Sequence, residues 1–253
     1  MLEHLFDDRD RALTFGAVAE RYDRYRSGYP DEMVDDLVAA GPRTALDVGC
    51  GTGKLARALL SRGVDVVGID PDERMAAIAR QHGVPVEVAS FEDWDDQGRH
   101  YDLITSGHAW HWVEPTVGRD KATRLLRPGG SVARCWSYHA VDPQLLSRFE
   151  DAYRRCAPGL QVIGRDPSDL PDVVDPFADL TEFTQATSRK YRWSREMSAE
   201  EWIGMISTFG DHIRLTADEF SNLAGMLERA IADSGGTVRV RGGTYLLLAI
   251  RSS

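Results

Sequence analysis

Residues 47–53 read Asp-Val-Gly-Cys-Gly-Thr-Gly, three glycines at alternate positions behind an acid. Strand and helix interiors both disfavour such glycine density. Gly49, Gly51 and Gly53 therefore mark a tight turn or a close approach of backbone to a ligand. Asp70 ends the next apolar stretch, and an acid there accepts hydrogen bonds from both hydroxyls of a ribose. Loop and acid together spell a site for an adenosine-containing ligand. A second group, His-Ala-Trp-His-Trp at 108–112, brings different chemistry. His108 and His111 are suited to general-base work near neutral pH. Trp110 and Trp112 can present aromatic faces to a cation. Each also has a packing reading: a histidine that holds a loop, a tryptophan under a cap. His139, farther on, is a weaker candidate for the same pocket.

These residues need elements to position them. Strand-like runs fall at 44–48, 64–70, 84–89, 101–106 and 131–137. Between them lie helical patterns at 54–63, 71–83 and 116–126, with a further helix at about 31–40. The second of these is well marked, with Pro71 at its start, acids in its first turn and Gly83 at its end. Strands alternating with helices of this length predict an α/β domain built on a parallel sheet with crossover helices. In such sheets ligands sit at the carboxyl ends of the strands, where Asp47 and its glycines, Asp70 and the histidines all fall. After Ser137 the pattern changes. Residues 181–194 alternate as a strand, helices are expected near 198–208 and 216–233, and 237–253, TVRVRGGTYLLLAIRSS, is expected to close the chain as a strand pair.

The chain has 253 residues, a formal net charge of −10 and 42% hydrophobic residues. That is enough apolar material for a substantial core, and the acidity argues against a general nucleic-acid binder. A local run, Arg189, Lys190, Arg192 and Arg195, is either a solvated face or an attractor for an acidic substrate. Cys50, Cys135 and Cys156 show neither a disulfide framework nor zinc spacing, which points to the cytoplasm. No apolar run is long enough to cross a membrane and no signal-peptide core is evident, so no membrane partner is expected.

The loop is G-x-G-x-G, whereas a dinucleotide site wants G-x-G-x-x-G. With Asp47 it resembles the first motif, D-x-G-x-G-x-G, of the class I S-adenosylmethionine (SAM)-dependent methyltransferases. "VVGIDPDERMAAIAR" looks like the second-strand motif of that family, and "LLRPGG" like the turn before its fifth strand. "AERYDRYRSGYP" and "SGHAWHW" resemble the small-molecule branch that includes trans-aconitate methyltransferase-like proteins.

The resemblance implies a Rossmann-like, seven-stranded, mostly parallel sheet with flanking helices and a helical cap, in one domain over 1–253. Residues 1–40 would lie over the cofactor, 41–137 would form the SAM-binding core, 138–180 and 196–234 the cap, and 181–195 and 237–252 the last strands. Gly49, Gly51 and Gly53 would floor the cofactor site, and Asp47 would orient the loop or the amino group. Asp70 would bind the ribose, Met75 would pack near the adenine, and Ser90 and Phe91 would sit at its edge. Phe91 departs from the family's usual residue. Ser106 and Gly107 would flank the methyl group, while Tyr22 and Arg26 would close over the cofactor, Arg26 facing its carboxylate. The implied activity is methyl transfer to a small molecule, O-methylation of a carboxylate or hydroxyl first, with C- or N-methylation as the alternative. Two other readings stay open: a SAM-binding module without catalysis, and a nicotinamide-dependent oxidoreductase. No N/D-P-P-Y/F motif and no metal-binding acids are evident, so neither nucleic acid nor metal is expected. The chain is expected as a monomer or homodimer.

Overall fold

Ala45 and Leu46 are neighbours in sequence and both fully buried, yet they belong to different cores. The same holds for Leu103 and Ile104, and for Ala133 and Val132. Successive side chains on a strand point to opposite faces, so these pairs define a sheet covered on both sides. The computed structural model describes residues 6, 13–166, 176–177, 180–184 and 187–252. Its strands are β1 (Thr44–Val48), β2 (Asp65–Asp70), β3 (Val86–Val88), β4 (Tyr101–Gly107), β5 (Leu126–Ala140), β6 (Thr187–Ser198) and β7 (Thr237–Ile250). They form one seven-stranded sheet in the order β3-β2-β1-β4-β5-β7-β6. β1 to β5 are parallel, and β7 is antiparallel to both β5 and β6.

The helices are α1 (Ala19–Tyr25), α2 (Asp31–Val38), α3 (Lys54–Leu60), α4 (Glu73–Gln81), α5 (Pro115–Leu125), α6 (Pro143–Cys156), α7 (Ala199–Ile206), α8 (Gly210–Ile213) and α9 (Ala217–Ala232). α2, α3 and α4 bury Met33, Leu37, Leu55, Leu59 and Ala79 on one face of the sheet. On the other face, α5 buries Ala122 and Leu125 beside Trp94 and Trp110. A third core joins α6, α7 and α9 to the far end of β7, with Trp202 stacked on Phe149 at 5.4 Å. Capping fixes where these helices start. Asp72 accepts from the Arg74 N–H at the head of α4, and Ser198–Glu201 and Thr216–Glu219 close reciprocal boxes at α7 and α9.

The strand order reverses between β1 and β4, so their carboxyl ends open a crevice. α1 spans that crevice and is held from two sides. Toward the core, Asp23 meets Lys54 and Arg57 at 3.6 Å and His82 at 2.8 Å. Toward the cap, the Tyr25 hydroxyl donates to Glu200 at 2.9 Å, and Arg26 donates to Thr208 Oγ1 at 2.8 Å.

One expectation needs correction. Residues 237–250 form one strand, not a pair: Gly242 and Gly243 continue the ladder opposite Trp193 and Arg192. A Cβ at Gly242 would overlap the Trp193 ring, and one at Gly243 would meet Tyr138. The glycines clear space for aromatic rings lying across the strand; they do not turn it. Among the described residues β6 runs from Thr187 to Ser198, and Phe183 bridges to Arg251; residues 185–186 lie outside the described residues. Parts of two expected segments, 1–5 and 7–12 of the N-terminal arm and 167–175 and 178–179 of the cap, lie outside the described residues.

Candidate active site

The loop after β1 is shaped by backbone geometry first. Gly49, Gly51 and Gly53 have φ of 65°, 55° and 81°, in the left-handed region that side chains disfavour. A Cβ at Gly49 would also strike the Ala109 methyl. Asp70, 8% exposed at the end of β2, pins the loop. Its Oδ2 accepts from the Gly51 N–H at 2.8 Å and its Oδ1 from the Asp72 N–H at 2.9 Å. Burial outweighs these bonds and pushes its pKa up to about 6. Asp47, 1% exposed, accepts from Thr105 Oγ1 at 2.8 Å, and burial pushes it up to about 7.

Two hollows meet over this loop. One is a cavity of about 650 Å³. It is lined by Phe15, Ile69, Asp70, Met75, Ser90, Phe91 and Asp93, and by His111, Trp112, Val113, Gln161, Ile163, Phe209 and His212, with Phe15 and Trp112 in edge contact at 6.2 Å. The second is a narrow recess of about 50 Å³, lined by Ser27, Tyr29, Asp47, Thr52, Lys54, Ser137 and His139 among others. Tyr22, Arg26, Gly49, Gly51, Gly107 and His108 line both, and so form the neck between them. A broader trough of about 910 Å³ crosses the opposite end of the sheet past Thr44, Asp65 and Tyr101, and includes none of the candidate residues.

These hollows fit the cofactor implied by the sequence, an amino acid joined through sulfur to adenosine. In the recess, Ser27 Oγ and His139 Nε2 are buried with no hydrogen-bond partner among the described residues, as suits walls that receive a zwitterion. Arg26 stands at the neck with its guanidinium 3.6 Å over the Phe209 ring, and no carboxylate is among its recorded partners. Burial lowers its pKa. The cavity supplies an acid for a diol and apolar walls for a base.

Sequence reasoning and geometry diverge at several residues. Gly53 lines neither hollow; a Cβ there would press on Ala79 and Val84, so its place is the tight seam of α3 on α4. Ser106 is 1% exposed and also lines neither, whereas Gly107 beside it does. Trp110 is core, packed between Phe91 and Phe177 at 5.9 and 5.6 Å, and only Trp112 reaches the cavity. The expectation of His108 as a base is overturned. Its φ of 56° turns the ring so that Nε2 accepts the Ser137 N–H at 2.8 Å. Burial and the neighbouring Arg26, His111 and His139 depress its pKa to about 3. His108 therefore ties β4 to β5 with the nitrogen a base would need. His111 remains, half-buried on the cavity wall with its ring 5.0 Å from Trp112. The basic run on β6 lines neither hollow: Arg189 pairs with Asp36 at 2.6 Å, and Lys190 lies over Tyr138 and Tyr245. Sequence reasoning passed over Tyr29, Phe15, Asp93, Gln161, Phe209 and His212. Of these only Tyr29 carried a local signal, inside the AERYDRYRSGYP stretch that carries part of the family resemblance.

Comparisons with known proteins agree with this geometry. A family described as a methyltransferase domain matches residues 45–130. An uncharacterized methyltransferase of Mycobacterium tuberculosis is 32% identical over 204 residues, covering 79% of this chain and 78% of that protein. A ubiquinone biosynthesis O-methyltransferase of Pseudomonas syringae is 32% identical over 142 residues, 49% of this chain and 61% of its own. Among solved structures, a phosphoethanolamine N-methyltransferase of Haemonchus contortus, bound to S-adenosylhomocysteine (SAH), shares the fold. Its TM-score is 0.53 at 17% identity, over 100% of this chain and 60% of that one. The mycobacterial match covers more than three-quarters of both chains, and on that footing the chain belongs to the class I SAM-dependent methyltransferases.

Proposed function

We propose that this methyltransferase acts on the oxygen of a small molecule, a carboxylate or a hydroxyl. The observation that carries the reading is the rest of the cavity lining. Besides Asp70, Met75, Ser90 and Phe91, the same cavity is walled by His111, Trp112, Val113, Gln161, Ile163 and Phe209, a mixed polar and apolar set. Such a space suits a compact acceptor with an apolar body and a few polar groups. The O-methyltransferase relative supports oxygen as the receiving atom, and the net charge of −10 speaks against a nucleic-acid acceptor. A cytoplasmic enzyme, monomeric or homodimeric, is the setting we infer; no helix among the described residues is long and apolar enough to cross a membrane.

In this reading Asp70 holds the ribose, Met75, Ser90 and Phe91 border the adenine, and Asp47 faces the amino group. Arg26 holds the carboxylate, with Tyr22 closing over it. When bound, the cofactor would supply a methyl carbon on cationic sulfur, whose carbon–sulfur electron pair would stay on sulfur; a carboxylate would take the methyl directly, and a hydroxyl would give its proton to His111 as it does so. The protein's part is alignment and exclusion of water. The test is transfer from SAM carrying a ¹³C-labelled methyl group to a panel of small acids, phenols and alcohols. Methyl recovered as an ester or ether supports the reading, and methyl recovered on nitrogen or carbon overturns it.

The role given to Asp70 carries a pH signature. Only the ionised carboxylate accepts from both ribose hydroxyls, and its pKa is raised to about 6. Protonation below that value removes the stronger acceptor. SAH affinity is therefore expected to be highest above pH 7 and to fall by up to about tenfold per unit below pH 6. Calorimetry from pH 5 to 8 reads this directly, and a flat profile would remove Asp70 from the ribose.

A further inference from the structure

In the cofactor, sulfur is the atom that joins the amino-acid chain to the ribose. Whatever binds with its amino acid in the recess and its nucleoside in the cavity must place sulfur at the neck between them. Gly107, at the carboxyl end of β4, is one of the six residues of that neck. The space that a side chain at Gly107 would fill is already occupied. A Cβ there would coincide with the hydroxyl of Tyr29.

Tyr29 reaches this place by construction. It ends the turn before α2, where Pro30 is the N-cap and fixes the direction of the chain. Its ring packs on the core cluster beneath β1 and β4. Cys135, the β5 partner of Gly107 in the sheet, lies within hydrogen-bonding reach of the hydroxyl. Burial raises the pKa of the phenol well above its ordinary value, so the group stays neutral and serves as an oxygen with lone pairs, not as a base.

We propose that Tyr29 is a positioning residue whose hydroxyl oxygen receives the sulfonium methyl group at the neck. The inference rests on the methyl-transfer reading of this site. The hydrogens of a methyl group on cationic sulfur are polarised, and an oxygen facing them makes weak C–H···O contacts that hold the group in one orientation. The demethylated product SAH lacks both the methyl group and the positive charge. Tyr29 therefore favours the methylated cofactor over its product, a distinction that an aromatic ring merely filling space would not draw.

The experiment is calorimetric titration with SAM and with SAH of the unmodified protein, Tyr29→Phe, Gly107→Ala and the double variant. Tyr29→Phe keeps the ring and its packing and is expected to raise the Kd for SAM about threefold to fivefold. The Kd for SAH is expected to move less than about twofold. Gly107→Ala, whose methyl competes for the place of the hydroxyl, is expected to show the same selective loss with Tyr29 still present. The double variant should then be no worse than the single ones, because both remove one interaction. If SAM and SAH shift together in Tyr29→Phe, or neither shifts, the proposal falls while the methyl-transfer reading stands. If the unmodified protein binds neither, the reading of the site falls first.

Discussion

Asp70→Ala is expected to weaken SAH binding at least about 100-fold, because two charge-assisted hydrogen bonds to the ribose are lost together. The residue also shapes the apo loop through the Gly51 and Asp72 N–H groups. Those two roles separate in energy. Removing the carboxylate costs the loop its two bonds but also relieves a buried charge whose pKa is already raised to about 6. The loss of folding stability should therefore stay near about 1–2 kcal/mol, less than the loss in binding. Asp70→Asn sharpens the assignment, since it keeps one acceptor oxygen but turns an N–H₂ toward one of the backbone donors. A fall of about tenfold is expected for it. Calorimetry beside thermal melts measures both effects. Binding within about threefold of the unmodified protein in Asp70→Ala would refute the ribose assignment.

His111→Ala is expected to lower kcat for a hydroxyl acceptor by about 10²–10⁴-fold, the usual worth of a positioned general base. A carboxylate acceptor is already a nucleophile and should lose little. SAH affinity should hold in either case, because His111 has no part in holding the cofactor under the proposed function. His108→Ala is expected to act differently. It leaves the Ser137 N–H without its partner and should lower the melting temperature along with kcat for every acceptor alike. If both variants behave the same with both acceptor types, neither histidine is the base.

The division between what could be read and what could not follows the range of the interactions. The parallel sheet, its crossover helices and the cofactor loop are written in short stretches. The short, largely apolar run at 44–48, acids and a final glycine around α4, and three glycines behind Asp47 each specify their own backbone. Gly242 and Gly243 misled because a glycine pair normally signals a turn. Their true cause, the rings of Trp193 and Tyr138, lies 49 and 105 residues away, from Trp193 to Gly242 and from Tyr138 to Gly243. His108 misled in the same way: its type suits catalysis, but its partner Ser137 belongs to the next strand. Asp70, Met75, Ser90 and Phe91, positions named from the glycine loop's partner acid and from the family resemblance, line the cavity. Gln161, Phe209 and His212 were opaque, since they come to the cavity from the cap, and no local pattern marks a residue for a distant wall.

β7 is made after both strands it joins, and this has a consequence for the nascent chain. Until Thr237–Ile250 leave the ribosome, β5 and β6 each present an open row of backbone donors and acceptors. Synthesis at about 5–20 residues per second leaves those edges bare for seconds, long enough for strands of neighbouring chains to find them. After β7 inserts, β6 remains as the outer edge of the sheet. The run of Arg189, Lys190, Arg192 and Arg195 then takes on a plain meaning. Like charges along an outer strand repel a second copy of themselves, so a sequence that resembles a docking patch acts as a guard against aggregation.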